Sequence, residues 1–296
     1  MNKIFQKELF MVKKFTILFL SFLIVTPVLF LGGEKLKAEA SGDFLLSEGL
    51  PPLGANDPKC IPDETHPDPI VLVPGTFESM DRNWANLAPL LKAEGYCVYS
   101  LNYGYTAAGY GTGPIEDSAK ELKTFIDNVL AHTGAEKISI VGHSQGGMMP
   151  RYYIKFLGGN KVVNDLIGLV PSNHGTKGVI GLNATWTVTD LAACTACRQQ
   201  ETGSEFLEKL NRGNEAPGNV SYTVVTTRND EVVVPYTSSF LKESKNVVNI
   251  TLQDYYPLNQ TEHQLIAYDV NAFSFVFDAL AHKGPADPAR SVALFK

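Results

Sequence analysis

What is scarce in this chain narrows it first. Basic residues number 25 against 31 acidic ones, a formal net charge of -6, and no dense Lys/Arg cluster interrupts that balance in the body of the chain. Without a basic face to neutralise phosphates, nucleic acid is excluded as a partner. Internal repeats and low-complexity tracts are lacking too, so neither a solenoid nor a biased tail is in prospect. Cysteine is limited to four residues, Cys60, Cys97, Cys194 and Cys197. Cys194-x-x-Cys197 has neither a second Cys pair nor a His pair at ligand spacing to complete a zinc site. No metal and no cofactor are expected.

Long apolar runs are equally few. The run from Phe15 to Leu31 is about 17 residues with Pro27 inside it, short for a spanning helix. Lys13 and Lys14 precede it, and Ala38-Glu39-Ala40 follows before Ser41. A basic flank, an apolar run and a small-x-small site read as a secretory signal peptide over residues 1–40, cleaved after Ala40. No membrane anchor then remains, and the expected destination is extracellular. In an exported chain four cysteines read as two disulfides. Of the three possible pairings, Cys60–Cys97 and Cys194–Cys197 are favoured, because the first pair flanks neighbouring predicted strands and the second can close a small loop.

Roughly 255 residues remain after cleavage, enough for one large core. Residues 41–69 are rich in prolines and glycines that break periodicity (among them Pro51, Pro52, Gly54, Pro58, Pro62, Pro67 and Pro69) and form an extended lead-in. From residue 70 to 296 the pattern is that of one domain. Strands are expected at Ile70–Val73, Tyr96–Leu101, Lys137–Val141, Leu166–Val170, Tyr222–Thr227 and Val247–Leu252. Between them lie amphipathic stretches, clearest from Pro114 to His132, where Ile115, Ala119, Leu122, Ile126 and Val129 recur at helical spacing. Pro114 suits the first turn and Gly134 the exit. The strand cores Ile70-Val-Leu-Val and Ile138-Ser-Ile-Val are almost unbroken apolar, as in strands buried on both faces. Strand alternating with helix implies a mostly parallel sheet covered on both sides, an α/β class.

Gly142-His143-Ser144-Gln145-Gly146 fits Gly-x-Ser-x-Gly. Such a pattern arises by chance often enough that context must carry it. Here it follows a buried strand and precedes a helix-compatible stretch, the strand-to-helix turn that a nucleophile elbow requires. Glycines beside the serine let strand and helix approach closely, and the helix N-terminus favours developing negative charge. Pro150 is out of place past the first turn and is expected to kink the helix or remove one hydrogen bond.

A serine hydroxyl needs a base held by an acid. In this arrangement the chain order is Ser, acid, His, on loops after later strands. Asp230, in Arg228-Asn-Asp-Glu-Val232, and His263, in Thr261-Glu-His-Gln264, occupy such loops. The rivals are Glu231 and Asp254 for the acid and His174 and His282 for the base. His143, next to the serine, is read as packing behind the site. The oxyanion needs preorganised donors: one is the backbone N–H of Gln145, and the other is expected from Val73-Pro74-Gly75-Thr76, where Thr76 offers N–H and hydroxyl. Residues 177–200, with Val179, Ile180, Leu182 and Trp186 and few charges, are placed as a cap over the site.

With these residues assembled, the chain resembles the extracellular lipases of the class 2 and lipase B type. The resemblance spans about Pro69 to His282. It rests on Leu72-Val-Pro-Gly-Thr76, Asn83-Trp84, Gly142-His-Ser-Gln-Gly-Gly147, Pro171-Ser-Asn-His-Gly-Thr176, Gln199 to Leu207, and Asp230-Glu-Val-Val. It implies the α/β-hydrolase fold, Ser144, Asp230 and His263 as triad, and Thr76 and Gln145 at the oxyanion hole. It also implies lipid esters as substrates, no cofactor, and export; the apolar side chains of the cap segment suit a lipid–water interface. A monomer is expected. Many lipases carry His-Gly before the oxyanion residue, where this chain has Pro74-Gly75. Plain carboxylesterase, polyester depolymerase and acyltransferase chemistry would use the same triad, and a non-catalytic binding protein would have no need of it.

Overall fold

The computed structural model describes residues 49–177 and 193–293. The signal-peptide assignment and most of the cap assignment, residues 178–192, lie outside the described residues. Six strands form one sheet: β1 Ile70–Val73, β2 Val98–Ser100, β3 Ile138–His143, β4 Val163–Leu169, β5 Ser221–Thr226 and β6 Val247–Thr251. Their order is β2-β1-β3-β4-β5-β6, and every pairing is parallel.

Alternation along β1 explains the two-sided core. Val71 and Val73 face one apolar cluster with Ile115, Leu122 and Met148. Ile70 and Leu72 face another with Leu87, Phe273 and Val276. Helices supply both layers: α1 Met80–Asn83, α2 Leu87–Ala93, α3 Ile115–Thr133 and α4 Gln145–Phe156, then shorter ones and the apolar helix Val270–Ala281. A strand buried on both faces cannot show a period-2 polarity pattern, hence the unbroken apolar runs.

Pro114 stands one place earlier than its sequence reading, as the N-cap of α3, while Gly134 closes the helix with φ 71. The β2 strand is shorter than the expected Tyr96–Leu101, since its ladder with β1 runs only from Ile70↔Val98 to Leu72↔Ser100, and the lead-in pairs with its other edge, where Ala55 bridges Val98. There, too, Asn56 Oδ1 accepts from the Ser100 N–H at 2.7 Å and Asn56 Nδ2 donates to Ser100 O at 2.9 Å. This side chain substitutes for a missing strand and protects an open edge. Pro150 is accommodated inside α4, which continues to Phe156; the ring removes the N–H that would have bonded to the Gly146 carbonyl. Both cysteine pairs form as favoured, Cys60–Cys97 with Cα atoms 5.6 Å apart and Cys194–Cys197 with 5.3 Å. Among the described residues no helix is long and apolar enough to cross a membrane.

The chain leaves β1 towards β2 on one side and returns to β3 on the other. Loops at the carboxyl ends of β1 and β3 therefore diverge, which opens a crevice at that switch point.

Candidate active site

At the end of β3 the backbone turns sharply into α4, with Ser144 at φ 55 and ψ -123. A non-glycine residue in that region is strained and is held only where its surroundings over-determine it. Here the Ser144 N–H donates to Leu169 O on β4 at 2.9 Å. The glycines explain the rest. A Cβ on Gly142 would sit 1.9 Å from the Gly146 carbonyl oxygen, and one on Gly146 would sit 2.1 Å from Val73 O. Strand, helix and the β1 loop meet there with no room for a side chain.

The three residues proposed from chain order come together across that turn. His263 Nε2 lies 3.0 Å from Ser144 Oγ. Its Nδ1 lies 2.9 Å and 3.0 Å from the two carboxylate oxygens of Asp230. All three are buried. Asp230 is aimed by its own loop, since Oδ1 also accepts from the N–H groups of Val232 and Val233 at 2.9 and 2.8 Å. The acid and histidine loops are stitched to each other: Thr227 Oγ1 donates to Thr261 O at 2.8 Å, and the His263 N–H donates to Glu231 Oε2 at 3.3 Å. Burial, together with the neighbouring Glu262 carboxylate, pushes the Glu231 carboxyl up from its ordinary range.

The rival residues are elsewhere. Asp254 is half-exposed and pairs with Arg228. His174 faces Glu215 at 3.3 Å, and His282 bonds to Asp278. His143 packs behind the site, its ring centroid 5.2 Å from that of His263. Its Nε2 meets the His263 carbonyl oxygen at 2.9 Å. Burial pushes its pKa down to about 3, so the ring is neutral. A neutral ring has one N–H, and the His263 carbonyl is an acceptor for it.

Thr76 and Gln145, the chain neighbours of Gly75 and Ser144, lie close to each other. The Gly75 position touches the serine, since a Cβ there would lie 3.3 Å from Ser144 Cβ. The Gly75 N–H donates to Asn83 Oδ1 at 2.8 Å, which fixes the bend of the loop. Gly111, at φ 65, approaches both residues: a Cβ there would lie 3.1 Å from Gln145 Nε2 and 3.2 Å from Thr76 Cα. Gln145 is anchored through its side chain to Gly111 O at 2.8 Å and Tyr103 Oη at 3.1 Å, leaving its backbone N–H at the first position of α4 with no intrahelical partner.

Sequence reading missed the residues that hold this frame. Gln200, Tyr103 and Arg151 are buried and act over long sequence separations. Arg151 Nη2 bonds to Asn211 Oδ1 at 2.7 Å and Nη1 to Asn173 Oδ1 at 3.2 Å. The only signal for them was indirect, since Asn173 and Gln200 fall within stretches already quoted as motif segments.

A parallel sheet with a serine elbow after its central strand, and a histidine and carboxylate on later carboxyl-edge loops, defines the α/β-hydrolase fold. Crystal structures of that fold are similar to this one. Aspergillus fumigatus lipase B has a TM-score of 0.67 at 24% identity, covering 79% of this chain and 58% of that one. The mature form of the Bacillus licheniformis lipase BlEst2 has 0.56 at 16%, covering 74% and 94%. The chain belongs to the class 2 lipase family, whose model matches residues 67–272. A triacylglycerol lipase of Pseudarthrobacter phenanthrenivorans is 32% identical over 89 residues, 28% of this chain and 27% of that protein. One from Burkholderia plantarii is 32% identical over 89 residues, 28% of this chain and 24% of that protein. The match spans about a quarter of these curated relatives.

Proposed function

We propose that the protein is a secreted serine ester hydrolase acting on triacylglycerols through an acyl-serine intermediate. The observation that carries this reading is the continuous alignment of Asp230, His263 and Ser144, with both hydrogen bonds at about 3 Å. His263 Nε2 accepts the Ser144 hydroxyl proton as Oγ attacks the ester carbonyl. Asp230 holds Nδ1–H and stabilises the imidazolium that forms. The Gln145 N–H, with the Thr76 N–H and hydroxyl, receives the oxyanion of the tetrahedral adduct. The adduct collapses as the C–O bond breaks and His263 returns the proton to the departing alkoxide, leaving acylated Ser144 and a free alcohol. Water, deprotonated by His263, then releases the acid and restores the serine. Family membership and the triacylglycerol lipase relatives support the lipid substrate. The two disulfides support export, because such bonds persist in oxidising compartments.

Rates on tributyrin, trioctanoin and triolein emulsions, compared with p-nitrophenyl acetate in the same buffer, test the substrate class. Turnover of the longer triglycerides at rates at least comparable to the acetate is expected. Turnover confined to soluble acetate and butyrate esters would leave a plain carboxylesterase.

A further inference from the structure

Gln200 is completely buried, next to the site but without access to substrate. It caps the short helix Thr195–Gln199, which begins at the Cys194–Cys197 disulfide. Its backbone is held by the Gly175–Thr176 segment, where the Thr176 N–H donates to Gln200 O at 3.0 Å. The side-chain amide lies between four polar groups. Oε1 accepts from Ser172 Oγ at 2.7 Å. The Nε2 hydrogens are shared among Thr76 Oγ1 at 3.0 Å, Gln145 Oε1 at 3.1 Å and Ala196 O at 3.2 Å.

The polarity of this network is fixed by carbonyls that can only accept. Gly111 O must take a proton from the Gln145 side chain, so the amide nitrogen of Gln145 faces it and the amide oxygen faces Gln200. Gln200 must therefore present its nitrogen, and Ala196 O demands the same. That leaves Oε1 against the Ser172 hydroxyl, where it is found. The outcome at Thr76 follows. Its hydroxyl oxygen accepts from Gln200, while its own O–H and its backbone N–H have no acceptor among the described residues. Thr76 is also partly open to solvent whereas Gln200 is not. With one lone pair occupied from the buried side, the hydroxyl hydrogen is free to point to the open side.

We propose that Gln200 is a positioning residue for the reaction: by donating to Thr76 Oγ1 it aims the Thr76 hydroxyl proton at the developing oxyanion, and by donating to Gln145 Oε1 it locks the second donor in the same frame. This rests on the reading of Thr76 and Gln145 as the oxyanion donors. Preorganised donors matter because they need no reorientation as charge develops. Gln200 touches no substrate, so its effect belongs in kcat and not in KM.

The test is a double-mutant cycle on the full chain with a soluble ester, using Gln200→Met, Thr76→Val and the pair. Gln200→Glu serves as the second variant: it keeps the volume and the Ser172 bond, but carries at most one proton where the amide carries two, so it cannot serve Thr76 Oγ1, Gln145 Oε1 and Ala196 O as the amide does. Either Gln200 substitution is expected to lower kcat about tenfold with KM changed less than about twofold. In the Thr76→Val background the same substitution should cost clearly less than in wild type, because the hydroxyl it aims is gone and only its contact to Gln145 Oε1 remains to be lost. An equal loss in both backgrounds, with melting temperatures to match, would make Gln200 a packing residue and overturn the proposal. No loss from Thr76→Val alone would instead overturn the oxyanion assignment on which it rests, and an inactive wild-type protein would overturn the reading of the site as a hydrolase.

Discussion

A single carboxylate decides how His263 is oriented, and three acids compete for that place in the sequence. Asp230 wins on geometry, with both oxygens on Nδ1 and two backbone N–H donors holding it. Asp254 is committed to Arg228 in solvent. Asp230→Asn should therefore lower kcat by about four orders of magnitude, because the imidazole takes the wrong tautomer. Asp254→Asn should stay within about threefold of wild type, as exposed pairs contribute little. Equal losses, read from steady-state kinetics on one ester, would remove Asp230 from the role. At this scale the sequence displays which residues follow a strand: Ser144, Asp230 and His263, which the structure brings together, do so, as does Thr76. Gln200 and Tyr103 were not, because what they touch lies 124 and 29 residues away, at Thr76 and Pro74. No local pattern marks a side chain whose partners are set by packing.

The turn from β3 into α4 is where the elements depend most on one another. Gly146 and Gly147 are both helical, and alanine is the better helix former by about 1 kcal/mol. Space opposes that at both, and far more at one of them. A Cβ on Gly146 would meet two carbonyl oxygens of the β1 loop, Val73 O at 2.1 Å and Pro74 O at 2.4 Å, while one on Gly147 would meet Pro171 Cβ at 2.9 Å. Gly146→Ala should cost about 3 kcal/mol or more, and Gly147→Ala markedly less. Urea unfolding of the two variants measures this; equal midpoints would mean that the β1 loop yields easily. Most strands were legible as apolar runs, and α3 by its spacing and its Gly134 exit. What escaped was competition between elements. Asn56 and Ala55 take up part of the β2 outer edge from far along the chain, and α4 runs on through Pro150 to Phe156.

Across the whole molecule, stability against acid depends on two groups shifted in opposite senses, the buried His143 and the partly buried Asp165. His143 has a folded pKa of about 3, below its ordinary 6.5. As pH falls from 6.5 towards 3 the unfolded chain binds a proton that the fold refuses, so stability is lost. Asp165, at the opposite edge of the sheet, is raised from 3.8 to about 7, above all by burial, with the Asp68 charge adding and the Ser139 bond opposing. Here the fold holds a proton that the unfolded chain releases, so stability rises as pH falls from 7 towards 3.8. Between 3.8 and 6.5 the two nearly offset each other. Asp165→Asn removes the second: the variant should be more stable than wild type at pH 8, by about 2 kcal/mol after discounting for partial exposure, and should lose stability more steeply on acidification. Urea midpoints at pH 8, 6 and 4.5 check this, and parallel profiles for the two proteins would contradict it. Fold class and family were legible at this scale, because several separate motifs in fixed order constrain one chain far more than any one does. The central claim, that Ser144 is the nucleophile of an ester hydrolase, is tested most directly by a fluorophosphonate with peptide mapping of the labelled protein. One label per chain is expected, on Ser144, with loss of ester turnover in proportion to labelling and a folded but unlabelled and inactive Ser144→Ala variant. Label on another residue, or an alanine variant that retains its turnover, would contradict it.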